Sequence, residues 1–138
     1  AKREFARALK RISSNQGVSA LIRSGLAELL FREGRFAEAA MVGQRAAAAT
    51  ASIGMIGFSL KLRLLEIESH VRAGNIVRAN DRLEAFRRDV TRDNSLDPTL
   101  LRQIQGVVSG RSPSLKRLAE LRQRAEINLV ERAAGISK

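Results

Sequence analysis

Residues 19–49, SALIRSGLAELLFREGRFAEAAMVGQRAAAA, decide the fold. Leu21, Ile22, Leu26, Leu29 and Leu30 recur close to the 3, 4, 7 spacing of one helical face. Glu28 precedes Arg32 by one helical turn, the favourable order for a surface pair. Gly34 then follows a basic residue, where a helix C-terminus tolerates positive charge and glycine takes the left-handed turn. Phe36, Ala39, Ala40 and Val42 restart the period, and the run 46–49 is all alanine, the strongest helix former. The stretch therefore predicts two helices joined at Gly34. Ala39, Gly43 and Ala46 are small at helical spacing, which lets a neighbouring helix approach closely.

A weaker copy follows forty residues on. With 59–79 laid under 19–39, Ser19/Ser59, Arg23/Arg63, Glu28/Glu68, Arg32/Arg72, Gly34/Gly74 and Ala39/Ala79 are identical, and Ile22/Leu62, Phe31/Val71 and Phe36/Ile76 stay apolar. Glu66 and His70 stand where Leu26 and Leu30 do, so the second copy is degenerate. The pattern Leu26-Ala27-x-x-Leu30-x-x-x-Gly34-x-Phe36-x-x-Ala39 resembles the tetratricopeptide repeat. It departs from that family at Gly43, where a large aromatic is usual, and no proline closes the unit. The forty-residue period exceeds the usual unit of about 34, and is similar to the long repeats of maltose-activator-type (LuxR family) regulators. The extra length is assigned to a connector at 50–57.

The resemblance implies an all-α fold of stacked antiparallel helical hairpins, a right-handed α-solenoid of two to three repeats. Within one domain, 1–138, residues 1–16 form a leading basic helix, 17–56 the first repeat, 57–96 the second, and 97–138 a divergent capping hairpin. The resemblance also implies a concave groove lined by Leu21, Ser24, Glu28, Phe31 and Arg32, and by their counterparts Lys61, Leu64, Glu68, Val71 and Arg72. Such grooves take extended or helical peptides. The rows Glu28/Glu68 and Arg32/Arg72 are either a clamp for a partner of mixed charge or plain intrahelical bridges.

Elsewhere the chain offers further helices. Residues 1–12, AKREFARALKRI, read as a basic amphipathic helix with Phe5, Ala8, Leu9 and Ile12 on one side, either capping the first hairpin or facing phosphate or membrane. Asp97-Pro98 is a helix start, with Leu100, Leu101, Ile104, Val107 and Val108 as its apolar side. Ser112-Pro113 repeats the signal ahead of a helix at about 114–134 carrying Leu118, Leu121, Ala125, Leu129 and Ala133. That helix either closes a third hairpin, whose outer face must be polar, or pairs with a second copy. The tail VERAAGISK resembles the start of a helix-turn-helix but stops before any recognition helix.

Composition limits function. Aromatics are 4%, with no Trp, Tyr or Cys, so Leu and Ala build the core, and disulfides and thiolate metal sites are excluded. The uncharged stretch 46–60 falls short of the about 20 residues that span a bilayer. A soluble, cytoplasmic protein is expected. The net charge of +11 attracts anionic partners or reflects an arginine-rich solvated surface. Arg82, Arg87, Arg88, Arg111 and Lys116 are the candidate anion contacts, the last two flanking a helix N-terminus. No phosphate loop or nucleophile motif occurs, His70 takes a core position, and Glu66 and Glu68 point to different helical faces. The expectation is a non-catalytic interaction module without cofactor or metal, a scaffold, adaptor or sensor domain of a regulator. The alternative is a nucleic-acid-binding or transcription-regulatory helical domain.

Overall fold

The computed structural model describes residues 15–135, together with Arg3. The leading helix at 1–12 and the last residues of the tail therefore lie outside the described residues, Arg3 apart. Among the described residues the protein is all-helical: α1 (Gln16–Arg32), α2 (Phe36–Ser52), α3 (Ile56–Arg72), α4 (Ile76–Asp93), α5 (Pro98–Val108) and α6 (Leu115–Ala133).

One device sets the architecture of the first four helices. Each ends on a residue with positive φ: Gly34 (77°), Gly54 (85°), Gly74 (83°) and Asn94 (52°). These positions are spaced by twenty residues (34, 54, 74, 94). At each, the next amide bonds back into the last helical turn: Arg35 to the Leu30 carbonyl (2.9 Å), Met55 to Thr50 (2.9 Å), Asn75 to His70 (2.8 Å) and Ser95 to Val90 (2.9 Å). This closure satisfies carbonyls that the helix end would leave unpaired. Connectors this short force neighbouring helices antiparallel. The turn at Gly54 corrects one expectation. Residues 50–57 are not an added connector but the end of α2, a three-residue turn and the start of α3. The forty-residue period thus resides in helices of 17 to 18 residues.

The α2–α3 contact is close because its residues are small. Ala39, Ala46 and Gly43 are buried, and Ala46 and Ala47 pack with Leu62 and the half-buried Phe58. A Cβ placed on Gly43 would lie 3.8 Å from the Glu66 Cβ and 4.0 Å from that of Ala27. The Ser59 hydroxyl bridges the same helices by donating to the Ala47 carbonyl at 2.7 Å.

On its other side α3 joins a larger core with α4, α5 and α6. Leu60, Leu64, Ile67 and Val71 meet Leu83, Phe86 and Val90 of α4, Leu101, Ile104 and Val108 of α5, and Leu118, Leu121, Ala125 and Leu129 of α6. Helix α6 packs on both α5 and α3. Its apolar side, offered by the sequence for pairing with a second copy, is occupied within the chain. Asp97 caps α5 by accepting from the Thr99 amide (2.9 Å), with Pro98 in the first turn. The cap of α6 is Ser114, which accepts from Arg117 (3.2 Å), and not Ser112 of the Ser-Pro pair.

Helix α3 is therefore central, flanked by α1, α2, α4 and α6. It carries two buried carboxylates on opposite sides, Glu66 at 0% and Glu68 at 1% exposure. A buried carboxylate requires charge partners and hydrogen bonds, and each has them.

Candidate partner-binding trough

Helices α1 and α6 lie on either side of α3 and run in opposite directions. Low residues of α3 meet high residues of α6, and the order inverts toward the other end. Ile56 and Leu60 share a depression with Leu129 and Ala133, whereas Glu68 meets Arg122. Phe58 of α3 lines a depression with α1 and Lys61 of α3 lines a second with α6; these two adjoining depressions are called the trough.

One end of the trough is closed by a charged and aromatic cluster. Glu68 accepts from Arg72 Nε at 2.7 Å and from Arg122 Nε. Arg122 also donates to Glu126 at 2.9 Å. The Arg72 guanidinium stands 5.6 Å from the ring centres of both Phe31 and Phe36, and that of Arg122 stands 5.2 Å from Phe31. The two rings meet edge to face at 5.3 Å. Cation–π contact and edge-to-face ring packing thus tie α1, α2, α3 and α6 at this point.

The rest of the trough is open. A depression of about 370 Å³ is lined by Leu21, Glu28, Leu29 and Arg32 of α1 with Phe58, and another of about 500 Å³ by Lys61 with Gln123, Glu126, Ile127, Val130 and Glu131. The Lys61 ammonium rests 5.7 Å over the Phe58 ring, so one α3 surface joins the two. Leu21 is 47% exposed, Ile127 61% and Val130 56%. Glu126 is half-buried: burial pushes its carboxyl up, Arg122 and Lys61 oppose this, and Glu28 and Glu68 reinforce it.

No family model matches the chain, no curated protein matches it, and no solved structure matches it. The site therefore stands on its geometry.

The ten groove residues named by the repeat pattern separate into three groups. Leu21, Glu28 and Arg32 are exposed, the last two forming an intrahelical pair at 3.7 Å. Phe31, Lys61 and Arg72 are half-buried along the trough. Leu64 and Val71 belong to the core, and Glu68 is buried beneath Arg72 and Arg122. Ser24 is buried, with its hydroxyl donating to the Ala20 carbonyl at 2.9 Å. Leu64, Glu68 and Val71 are withdrawn from the surface because α6 covers the second half of the expected groove, and Ser24 is buried on α1. A Glu68/Arg72 clamp open to a partner does not exist: Glu68 is consumed within the chain.

The sequence reading missed Phe58, Glu126, Ile127, Val130 and Glu131. A signal was present, since Ile127 and Val130 stand out of phase with the buried Leu118, Leu121, Ala125 and Leu129 of the same helix.

The candidate anion contacts do not form one site. Arg82 donates twice to Glu66, at 3.0 and 3.2 Å, and His70 Nε2 lies 3.1 Å from the same carboxylate. Arg87 pairs with Glu84 at 2.9 Å. Arg88, Arg111 and Lys116 are exposed on α4, the α5–α6 connector and α6. Among the described residues no group of three His, Cys, Asp or Glu could hold a metal ion, and no helix is long and apolar enough to cross a membrane.

Proposed function

We propose that this chain is a non-catalytic, tetratricopeptide-like interaction module that receives a segment of another protein in the α1–α6 trough. The observation that carries this reading is the exposure of Leu21, Ile127 and Val130 on facing helices around the Phe58–Lys61 base. Exposed apolar side chains gathered around a concavity and rimmed by charge are what a docking helix or peptide uses. The tetratricopeptide likeness extends over α1–α4, where hairpins recur with the same turn. Beyond them α6, not α5, stands beside α3 and ends the stack. In this reading the module is an adaptor or sensor piece of a regulator.

The test is a photo-crosslinking side chain placed at Ile127 or, as control, at Val77, which is 76% exposed on α4. In extract of the native host, a discrete adduct from Ile127 and none from Val77 is expected. Equal labelling at both positions, or at neither, would overturn the proposal. The nucleic-acid alternative has a separate signature, affinity for DNA or RNA of any sequence that falls log-linearly with salt. It draws on the net charge of +11, yet Arg82 and Arg87 are engaged by carboxylates of the chain itself.

A further inference from the structure

The two hairpins treat one arginine differently. Arg23 of α1 and Arg63 of α3 hold the same place, eleven residues before the turn glycines Gly34 and Gly74. In the second hairpin Arg63 reaches across to α4 and donates to Asp89 at 2.6 Å, and Arg92 lies 3.6 Å from the same carboxylate. The position of α2 equivalent to Asp89, forty residues earlier, is Ala49. Where the second hairpin surrounds its own carboxylate with two arginines, the first has an alanine.

The result is a depression of about 670 Å³ along the seam of α1 and α2. Its lining brings together residues equidistant from Gly34, as antiparallel helices do: Arg23 with Arg45, Ala20 with Ala48 and Ser19 with Ala49. The small side chains leave the space and the two arginines charge it. Among the described residues no carboxylate lines this depression, and neither guanidinium has a hydrogen bond or an ion pair. The residues three and four places from each arginine on its own helix are uncharged. The carboxylates of this hairpin stand at its other end, Glu28 and Glu38 paired with Arg32 and Arg35 and Glu33 at the cap of α1. The antiparallel dipoles of α1 and α2 offset each other along the seam, so its charge is that of the guanidinium groups. Two such groups on one concavity repel each other, and an oxyanion between them relieves that repulsion while accepting their hydrogen bonds.

We infer that this seam is an oxyanion site, in which the carboxylate or phosphate group of a ligand takes the place that Asp89 fills in the second hairpin. Arg23 and Arg45 hold the anionic group, and the alanine floor lies under the rest of the ligand. The site shares no lining residue with the docking trough and does not depend on it.

The test is an NMR titration of the full chain with inorganic phosphate and, separately, with acetate, chloride keeping the ionic strength constant. The side-chain Nε–Hε signals of Arg23 and Arg45 and the backbone amides of Ala20 and Ala48 should follow one saturable curve, while Arg88 and Arg111 shift little. The tighter of the two titrations identifies the group that the site prefers. Ala49→Asp, which supplies the carboxylate of the second hairpin, should weaken binding by about tenfold or more, the worth of a charge-assisted hydrogen bond. Arg23→Gln with Arg45→Gln should do the same, read at the Ala20 and Ala48 amides, with helicity unchanged by circular dichroism. Shifts that rise without saturating, equal shifts at Arg88 and Arg111, or saturation that survives the paired arginine substitutions would overturn the site.

Discussion

Arg122 of α6 donates to the carboxylate of Glu68 of α3 across fifty-four residues of sequence. The contact ties the last helix to the central one and defines the closed end of the trough. Glu68 is 1% exposed and is shared with Arg72, so its removal takes the buried acceptor from both guanidinium groups, Arg122 keeping Glu126. Glu68→Ala should cost about 3 kcal/mol, the usual loss when one member of a buried ion pair is deleted. Glu28→Ala, which breaks only the exposed pair with Arg32, should cost less than about 1 kcal/mol. Urea denaturation of both variants measures the difference. Equal losses would mean that the Glu68 cluster does not hold α6 in place.

The turn at Gly54 predicts a contrast between glycines. Gly54 holds φ of 85°, so Gly54→Ala should destabilise by about 1–2 kcal/mol, the cost of a Cβ in the left-handed region. Gly106 lies within α5, and a Cβ there would meet nothing within 4 Å. Gly106→Ala should stabilise by about 0.5–1 kcal/mol through helix propensity and a less flexible unfolded chain. Thermal melts of the two variants should move in opposite directions.

Gly43 lies buried in the α2–α3 contact, where a small residue lets the two helices approach. A Cβ at Gly43 fits at ordinary contact distance, 3.8 Å from the Glu66 Cβ, 3.9 Å from the Leu62 carbonyl and 4.0 Å from the Ala27 Cβ, so further atoms would press on α3 and α1. Gly43→Ala should be neutral or stabilising. Gly43→Tyr should cost about 3 kcal/mol or more by forcing the helices apart. Chemical denaturation of the pair checks this, and a stable tyrosine variant would show that the helices are not so closely packed.

Glu126 sets a pH dependence. Its folded-state carboxyl is raised above the ordinary 4.5, chiefly by burial, so between those two values the folded protein binds more protons than the unfolded one. The contribution of this group to stability is then fully present below about pH 4.5 and is lost as pH rises through the raised value. Glu126→Gln should remove that slope and raise the melting temperature at pH 7 relative to the parent. A variant whose stability–pH curve runs parallel to that of the parent would contradict the assigned cause.

The parts of this fold that were legible in the sequence are those set locally. Gly34, Gly74 and the Asp97-Pro98 start carry their turn and cap chemistry within a few residues. Gly54 was not recognised as their equal, because the alanine run and Ser52 before it lack the charged, periodic signature of the other helix ends. The partners of α6 were out of reach for a different reason. Its apolar stripe fits any apolar neighbour, and only the folded chain shows that α3 is that neighbour. From this followed the misplacement of Leu64, Glu68 and Val71 on an open surface. A glutamate beside arginines reads as a solvated pair, yet Glu66 and Glu68 are buried by helices that are distant in sequence.

The most direct measurement of the trough itself is the distance across it. The chain has no cysteine, so Leu21→Cys with Ile127→Cys gives two unique spin-label sites without further changes. Helices packed on either side of a central one stand two spacings of about 8–10 Å apart. Pulsed electron–electron resonance should therefore give a single narrow distribution at about 15–25 Å. A broad distribution, or one centred beyond about 35 Å, would show that α1 and α6 do not face each other across α3.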